Sequence, residues 1–242
     1  MKWSDHKRIT YAICRYYGLA EADLIADASI LPDKDPDYYY VYRKGKVRRR
    51  RVRHHDSMAI RIAFNYLKQA RKAYLRGEDY SIPLGRALHY IQDYTVDPTK
   101  KLWIFRYRSG RAHDERENGL KNIPVDINSV DRAKSDICYP HEFVGKVLEV
   151  GRGSNPEEIM TKASYLTSLA VKLVVNPDKP ENLEENYKKA LIRHVVLLMI
   201  PWLLLLIIGL EYVLISIIAS IFMHKLDFSY AKWKIDMDWF RS

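Results

Sequence analysis

Cysteine is almost absent: Cys14 and Cys138 are the only two in 242 residues. Two thiols cannot build a four-thiolate metal cage, and one disulfide between them is neither required nor excluded. Strand-like alternation is missing as well. No stretch of any length alternates apolar with polar residues, and no internal repeat is found, so the part of the chain outside its apolar C-terminal run is expected to be all-α. The opening MKWSDHKRIT is charged and has no apolar core, so no secretory leader is expected there. Acidic residues are missing from the most basic segment. The run RKGKVRRRRVR (43–53) contains none, and its basic residues account for most of the formal net charge of +10. The rest of the chain is close to balanced, which describes one local patch for phosphates rather than a globally basic protein.

Helical periodicity organises most of the sequence. Residues 5–30 read as a helix with Ile9, Ala12, Ile13, Tyr16 and Tyr17 on its apolar side, followed by a shorter one after Gly18. LPDKDPDYYYVYRKGK (31–46) reads as a loop from its prolines, aspartates and glycine. A long helix is expected from about His55 to Arg76, with Met58, Ile62, Tyr66, Gln69 and Ala73 marking its period and Gly77 ending it. Further helices are expected over Ser81–Tyr94, from near Arg111, and from Asn155-Pro156 to Asn176-Pro177. The domain division follows: 1–176 as a helical domain, 177–194 as a polar linker and lead-in, 195–223 as an apolar segment and 224–242 as a short tail.

Histidine is scarce, eight in the chain, and five of them fall beside carboxylates or in a tight cluster. His6 sits in the first helix, and His54-His55-Asp56 closes a loop that carries Asp33, Asp35 and Asp37. His89 and Asp93 are one turn apart and share a helix face, as do His113 and Glu117. A single pair of this kind is usually a surface ion pair, and a His-His dipeptide at a helix start is usually just solvated. Two pairs together with an Asp-rich loop and a third His cluster point to a metal site of oxygen and imidazole ligands, suited to zinc or another divalent ion.

The ordered set WSDHKRI, ILPD, HH, LGRALHYIQDYT and HDERE resembles the zinc-dependent phospholipase C and S1/P1 nuclease superfamily over about residues 3 to 118. That resemblance implies an all-α fold with up to three zinc ions in a cleft between helices. It implies that His89 and Asp93 are the central ligands, with Asp93 bridging two metals. His55 or His54 would be the histidine preceding the long helix, and His6 that of the first helix. Asp33 would ligate metal and orient water, and His113 with Glu117 would hold a further metal. The chain departs from the pattern at two places. Lys100 stands where members carry a ligating histidine, and a charged ammonium cannot ligate. Secreted members use the α-amine of an N-terminal tryptophan, whereas Trp3 lies two residues inside this chain. One or two metals are therefore expected rather than three.

The metal ligands do not choose between the two branches, so the appendages carry the expectation. VVLLMIPWLLLLIIGLEYVLISIIASIFM (195–223) holds a single charge, Glu211, and is long enough for one tilted transmembrane span. A hairpin broken at Gly209 also fits, although each half would be too short to cross. Glu211 at that depth is expected to face a partner helix or to be protonated. A membrane anchor beside Arg48, Arg49, Arg50 and Arg51, which would bind anionic phospholipid headgroups, favours a phospholipase C. A nuclease would use the same arginines on a nucleic-acid backbone, with Tyr38, Tyr39, Tyr40 and Tyr42 stacking bases. A degenerate, non-catalytic membrane interaction protein is the third reading. Lysines and arginines flank the apolar run evenly, so a cytoplasmic domain rests only on the missing leader, and nothing in the sequence speaks to oligomeric state.

Overall fold

The computed structural model describes all residues except 44, 98, 103, 104, 109, 210, 211 and 242, and side chains except those of 99–102, 105–108, 112, 204 and 206–208. The Lys100 side chain and Glu211, both singled out above, lie outside what is described. Two compact units are present: Met1–Cys138 with Glu142–Asp178, and Tyr139–His141 with Lys179–Ser242.

The first unit is mostly helical. It runs α1 (Trp3–Tyr16), α2 (Ala22–Ala28), α3 (Leu31–Lys34), the hairpin β1 (Tyr38–Arg43) and β2 (Lys46–Arg51), then α4 (Ser57–Arg76) and α5 (Ser81–Tyr94). A second hairpin, β3 (Thr99–Leu102) and β4 (Phe105–Arg108), precedes α6 (Gly110–Leu120), α7 (Ile127–Ser135), α8 (Phe143–Val150) and α9 (Pro156–Val175). Helix α5 is the centre. Leu84, Leu88 and Ile91 are fully buried, and so are His89, Tyr90 and Gln92 on other faces, because α1, α2, α4 and α9 surround it. At Gly85 an added Cβ would lie 2.5 Å from Ala28 Cβ and 2.6 Å from the Ile25 carbonyl, so α2 crosses α5 with no room for a side chain. Local signals set the helix ends. Gly77 takes φ 67° to stop α4, and the Asn155 side chain accepts a hydrogen bond from the Glu158 N–H to start α9 ahead of Pro156.

Three expectations are corrected here. Residues 38–43 and 46–51 pair as a regular antiparallel hairpin where a loop was expected, with Tyr39 opposite Arg50 and Tyr40 opposite Arg49. The buried stripe of α4 is Ala59, Ile60, Ala63, Phe64, Leu67, Ala70 and Arg71, rotated by about one residue from Met58, Ile62, Tyr66 and Gln69. Tyr16 of α1 is exposed rather than packed. Cys14 and Cys138 are both buried and both free.

The second unit holds α10 (Leu183–Ile208), α11 (Val213–Leu226) and α12 (Phe228–Phe240). The apolar run is not one helix: α10 ends at Ile208, capped by Gly209 with φ 104°, and α11 begins at Val213, four residues after that glycine. The two arms pack together, with Ser216 Oγ donating to the Pro201 carbonyl at 2.9 Å and Ser220 Oγ to that of Leu198 at 3.4 Å. Among the described residues no single helix is long and apolar enough to cross a membrane. Only α11 and α12 taken together reach that length and apolarity, and they meet at a 58° bend.

Candidate metal centre

Helix α5 carries His89 and Asp93 on one buried face, and the elements packed around it deliver the rest. Helix α1 brings His6, α3 brings Asp33, and the turn between β2 and α4 brings His54 and His55. Asp93 sits in the middle. Its Oδ1 is 3.1 Å from His6 Nε2 and 2.5 Å from the Met1 α-amine, and its Oδ2 is 2.7 Å from His54 Nδ1 and 3.4 Å from His89 Nε2. Asp33 Oδ1 lies 3.6 Å from His54 Nδ1 and 3.8 Å from His89 Nε2. Two overlapping groups therefore present nitrogen and oxygen atoms within 4.8 Å of one another: His6, His89 and Asp93, and Asp33, His54 and His89. Each can hold a metal ion.

Hydrogen bonds on the far nitrogens orient three of the imidazoles. Gln92 donates its amide hydrogens to Thr10 Oγ1 at 3.0 Å and Thr167 Oγ1 at 3.2 Å, so its Oε1 is free to accept from His6 Nδ1 at 2.7 Å. His89 Nδ1 donates to the Ser29 carbonyl at 2.8 Å, and His55 Nδ1 to the Asp93 carbonyl at 2.9 Å. Each bond fixes the tautomer with a lone pair on Nε2, the arrangement that metal-binding histidines use. Replacing Gln92 with Leu is expected to weaken metal binding about 10- to 100-fold with little change in the fold, measured by chelator competition.

Burial and charge set the protonation states. Burial pushes His55 down to about 4, and burial with the neighbouring His6 holds His89 well below its ordinary value, so both rings are neutral near pH 7. Burial alone would raise Asp93, but the Met1 ammonium, His6 and His89 outweigh it and keep the carboxylate ionised. Glu117 is brought down to about 2 in the same way, against burial, by His113 and the Met1 ammonium. The ammonium in turn is raised to about 10, its burial outweighed by Asp93 and Glu117.

The residues singled out in the sequence fall into distinct places. His6, Asp33, His54, His89 and Asp93 come together. His55, His113 and Glu117 lie next to them but do not close into such a group: His113 Nε2 is 3.1 Å from Glu117 Oε1, and its ring meets that of His55 edge-on at 4.9 Å. Asp35 and Asp37 face elsewhere. Arg86 pairs with both, and Tyr66 and Tyr90 donate to Asp37 at 2.6 and 2.7 Å, tying the base of the β1–β2 hairpin to α4 and α5. Of the four strand arginines, Arg50 and Arg51 line the cleft over the cluster, whereas Arg49 stacks on Tyr38 at 3.6 Å.

That cleft has a volume of about 830 Å³. Asp33, Asp93 and Glu117 lie among its walls, with Arg50, Arg51, Arg53 and Arg152 around them. Tyr39, one of the four tyrosines named for stacking, and Arg53, the end of the basic run, line the cleft as well, whereas sequence reasoning missed Gln92, Arg152 and the two N-terminal contacts, which are the Met1 amine on Asp93 and Glu117 and the Trp3 indole N–H on Asp33 Oδ2 at 2.8 Å. Of these, Gln92 alone carried a signal, as a polar residue beside Asp93 on the helix that also holds His89. The donor chemistry fits a divalent metal ion: imidazole nitrogens and carboxylate oxygens without thiolate, with His113 Nδ1 left buried and without a hydrogen-bond partner among the described residues. No family model, curated protein or solved structure matches the chain.

Proposed function

We propose that the protein is a metal-dependent phosphodiester hydrolase of the zinc phospholipase C and S1/P1 nuclease kind, acting on phospholipid headgroups at a membrane. One observation carries this reading: an imidazole–carboxylate cluster and four guanidinium groups share one cleft. An anionic diester would be drawn in by Arg50, Arg51, Arg53 and Arg152 and brought over His54, Asp33 and Asp93. A divalent ion held there supplies a Lewis acid for the phosphoryl oxygen and lowers the pKa of water. Asp33 is the group placed to take a proton from that water. It is half-buried, and Trp3 holds its Oδ2, which leaves Oδ1 directed at His54 and His89. The exposed apolar arms of the second unit support the lipid substrate, since they favour residence at a bilayer.

The nuclease reading keeps one supporting observation. Tyr39 lines the cleft beside Arg50, its cross-strand partner, so a stacking face and a phosphate-binding group stand together. Tyr40 and Tyr42 lie largely exposed on the hairpin and are not cleft residues. The test is metal content per chain followed by turnover of phosphatidylcholine vesicles and of single-stranded DNA in parallel. Bound zinc with release of a phosphorylated headgroup is the expected result. Folded protein with no tightly bound metal and no turnover of either substrate would overturn it. The double variant Arg50→Ala/Arg51→Ala should raise KM at least tenfold and leave metal content unchanged, since each lost charge-assisted hydrogen bond weakens binding by about 1.5–3 kcal/mol.

A further inference from the structure

We infer that the second unit is a monotopic membrane hairpin, entering and leaving one leaflet on the same side rather than crossing the bilayer. The inference rests on the membrane association proposed above but not on the hydrolytic chemistry. Residues 195–208 of α10 and the 14 residues of α11 each rise roughly 21 Å, short of the ~30 Å hydrocarbon core. The two ends of the hairpin are bonded to each other. Arg193 Nη2 donates to Asp227 at 2.7 Å, His194 Nδ1 to the same carboxylate at 3.0 Å, and His194 Nε2 lies 3.0 Å from His224 Nδ1. Tyr230, beyond the exit, stacks on His194 at 4.0 Å between ring centres. A chain whose entry and exit points share these bonds cannot have them on opposite faces of a membrane.

Lipid is the occupant that fits the outer surface. Leu214, Ile215, Ile217 and Ile218 of α11 are all exposed, although successive positions turn by about 100°, and Trp202 and Leu203 of α10 are exposed as well. A protein partner would cover one stripe, whereas acyl chains cover every outward face at once. Serine hydroxyls bonded to carbonyls of the facing helix close the seam between the arms, as in helix pairs that associate within lipid. Basic charge is confined to the base, with Lys188, Lys189 and Arg193 before the apolar arms and Lys225 after them, as anionic headgroups on one side require, and Glu211 is the single charge within the 195–223 run.

The test uses the full chain reconstituted into sealed phosphatidylcholine–phosphatidylserine vesicles and a membrane-impermeant maleimide-polyethylene glycol. Lys188 and Lys234 are exposed on helix surfaces on either side of the hairpin, and the native Cys14 and Cys138 are buried, so the parent protein gives the background. The double variant Lys188→Cys/Lys234→Cys should carry two adducts per chain or none, whatever the mixture of orientations. One adduct per chain would mean a single crossing and overturn the proposal. Tyr212→Cys, at the far end of the arms, should react only after detergent. Its labelling in those chains whose Lys188→Cys is protected would mean that the hairpin reaches the opposite face, and would overturn it too. Failure of the parent chain to float with vesicles would remove the membrane reading and leave the metal chemistry standing.

Discussion

Asp93→Asn should lose at least one metal per chain and at least about a hundredfold in phosphodiester turnover, a lower bound set by the cost of losing a mere outer-shell partner of a metal ligand. Asp93 is the carboxylate that reaches toward both groups of donors, with Oδ1 toward His6 and Oδ2 toward His54 and the shared His89. An amide has one acceptor oxygen and a donor NH2, so it can serve one side only and presents hydrogens to the other. The metal-free protein should suffer as well. The buried Met1 ammonium would keep Glu117 but lose its second carboxylate, and breaking a buried ion pair costs about 3–5 kcal/mol. For a domain of this size that is a fall in Tm on the order of 10 °C. Elemental analysis and calorimetry on the same preparations separate the two effects. Full metal loading in the variant would show that Asp93 acts only as an ion-pair partner.

How much of this could be read beforehand depends on which residues carry a local signal. His89 and Asp93 were legible because a helix of period 3.6 makes i and i+4 neighbours regardless of what surrounds it. The β1–β2 hairpin was not legible. Tyrosine and arginine populate both of its faces, neither face is buried, and so no apolar alternation of period two exists to be seen. The rotated stripe of α4 has a similar cause. Alanines 59, 63 and 70 are small enough to be overlooked beside Met58 and Ile62, yet they allow the close approach of α4 to α5. Gln92 works through Thr10 and Thr167, which come from two other helices 82 and 75 residues away along the chain. Arg152 reaches the cleft from between α8 and α9, a placement that follows only from the assembled unit. The break at Gly209 was one of two readings of the apolar run. Bonds between residues 33 and 34 apart, His194 with Asp227 and Arg193 with Asp227, decide it, and composition holds no trace of them.

Gly85→Ala tests whether the core positions the centre. The new methyl would meet the Ala28 side chain at 2.5 Å and the backbone at the Ile25 carbonyl and Ala28 carbonyl carbon at 2.6 and 2.7 Å. Backbone atoms cannot swing aside as a flexible side chain can, so α2 as a whole must move off α5. Overpacking of this kind costs about 1–3 kcal/mol, a fall in Tm of several degrees. The displacement should also reach the metal cluster. Ser29, directly after α2, supplies the carbonyl that fixes the His89 tautomer, and Asp33 follows four residues later. Weaker zinc binding is therefore expected at temperatures where the variant is fully folded, by an amount comparable to the loss of an orienting hydrogen bond, about 10- to 100-fold. A control separates the two consequences. Ala28→Gly removes the Cβ that clashes most closely, and combined with Gly85→Ala it should recover part of the zinc affinity even if both substitutions lower the Tm. Recovery of affinity without recovery of stability would show that α2 places ligands, because a helix that only filled the core would move both quantities together.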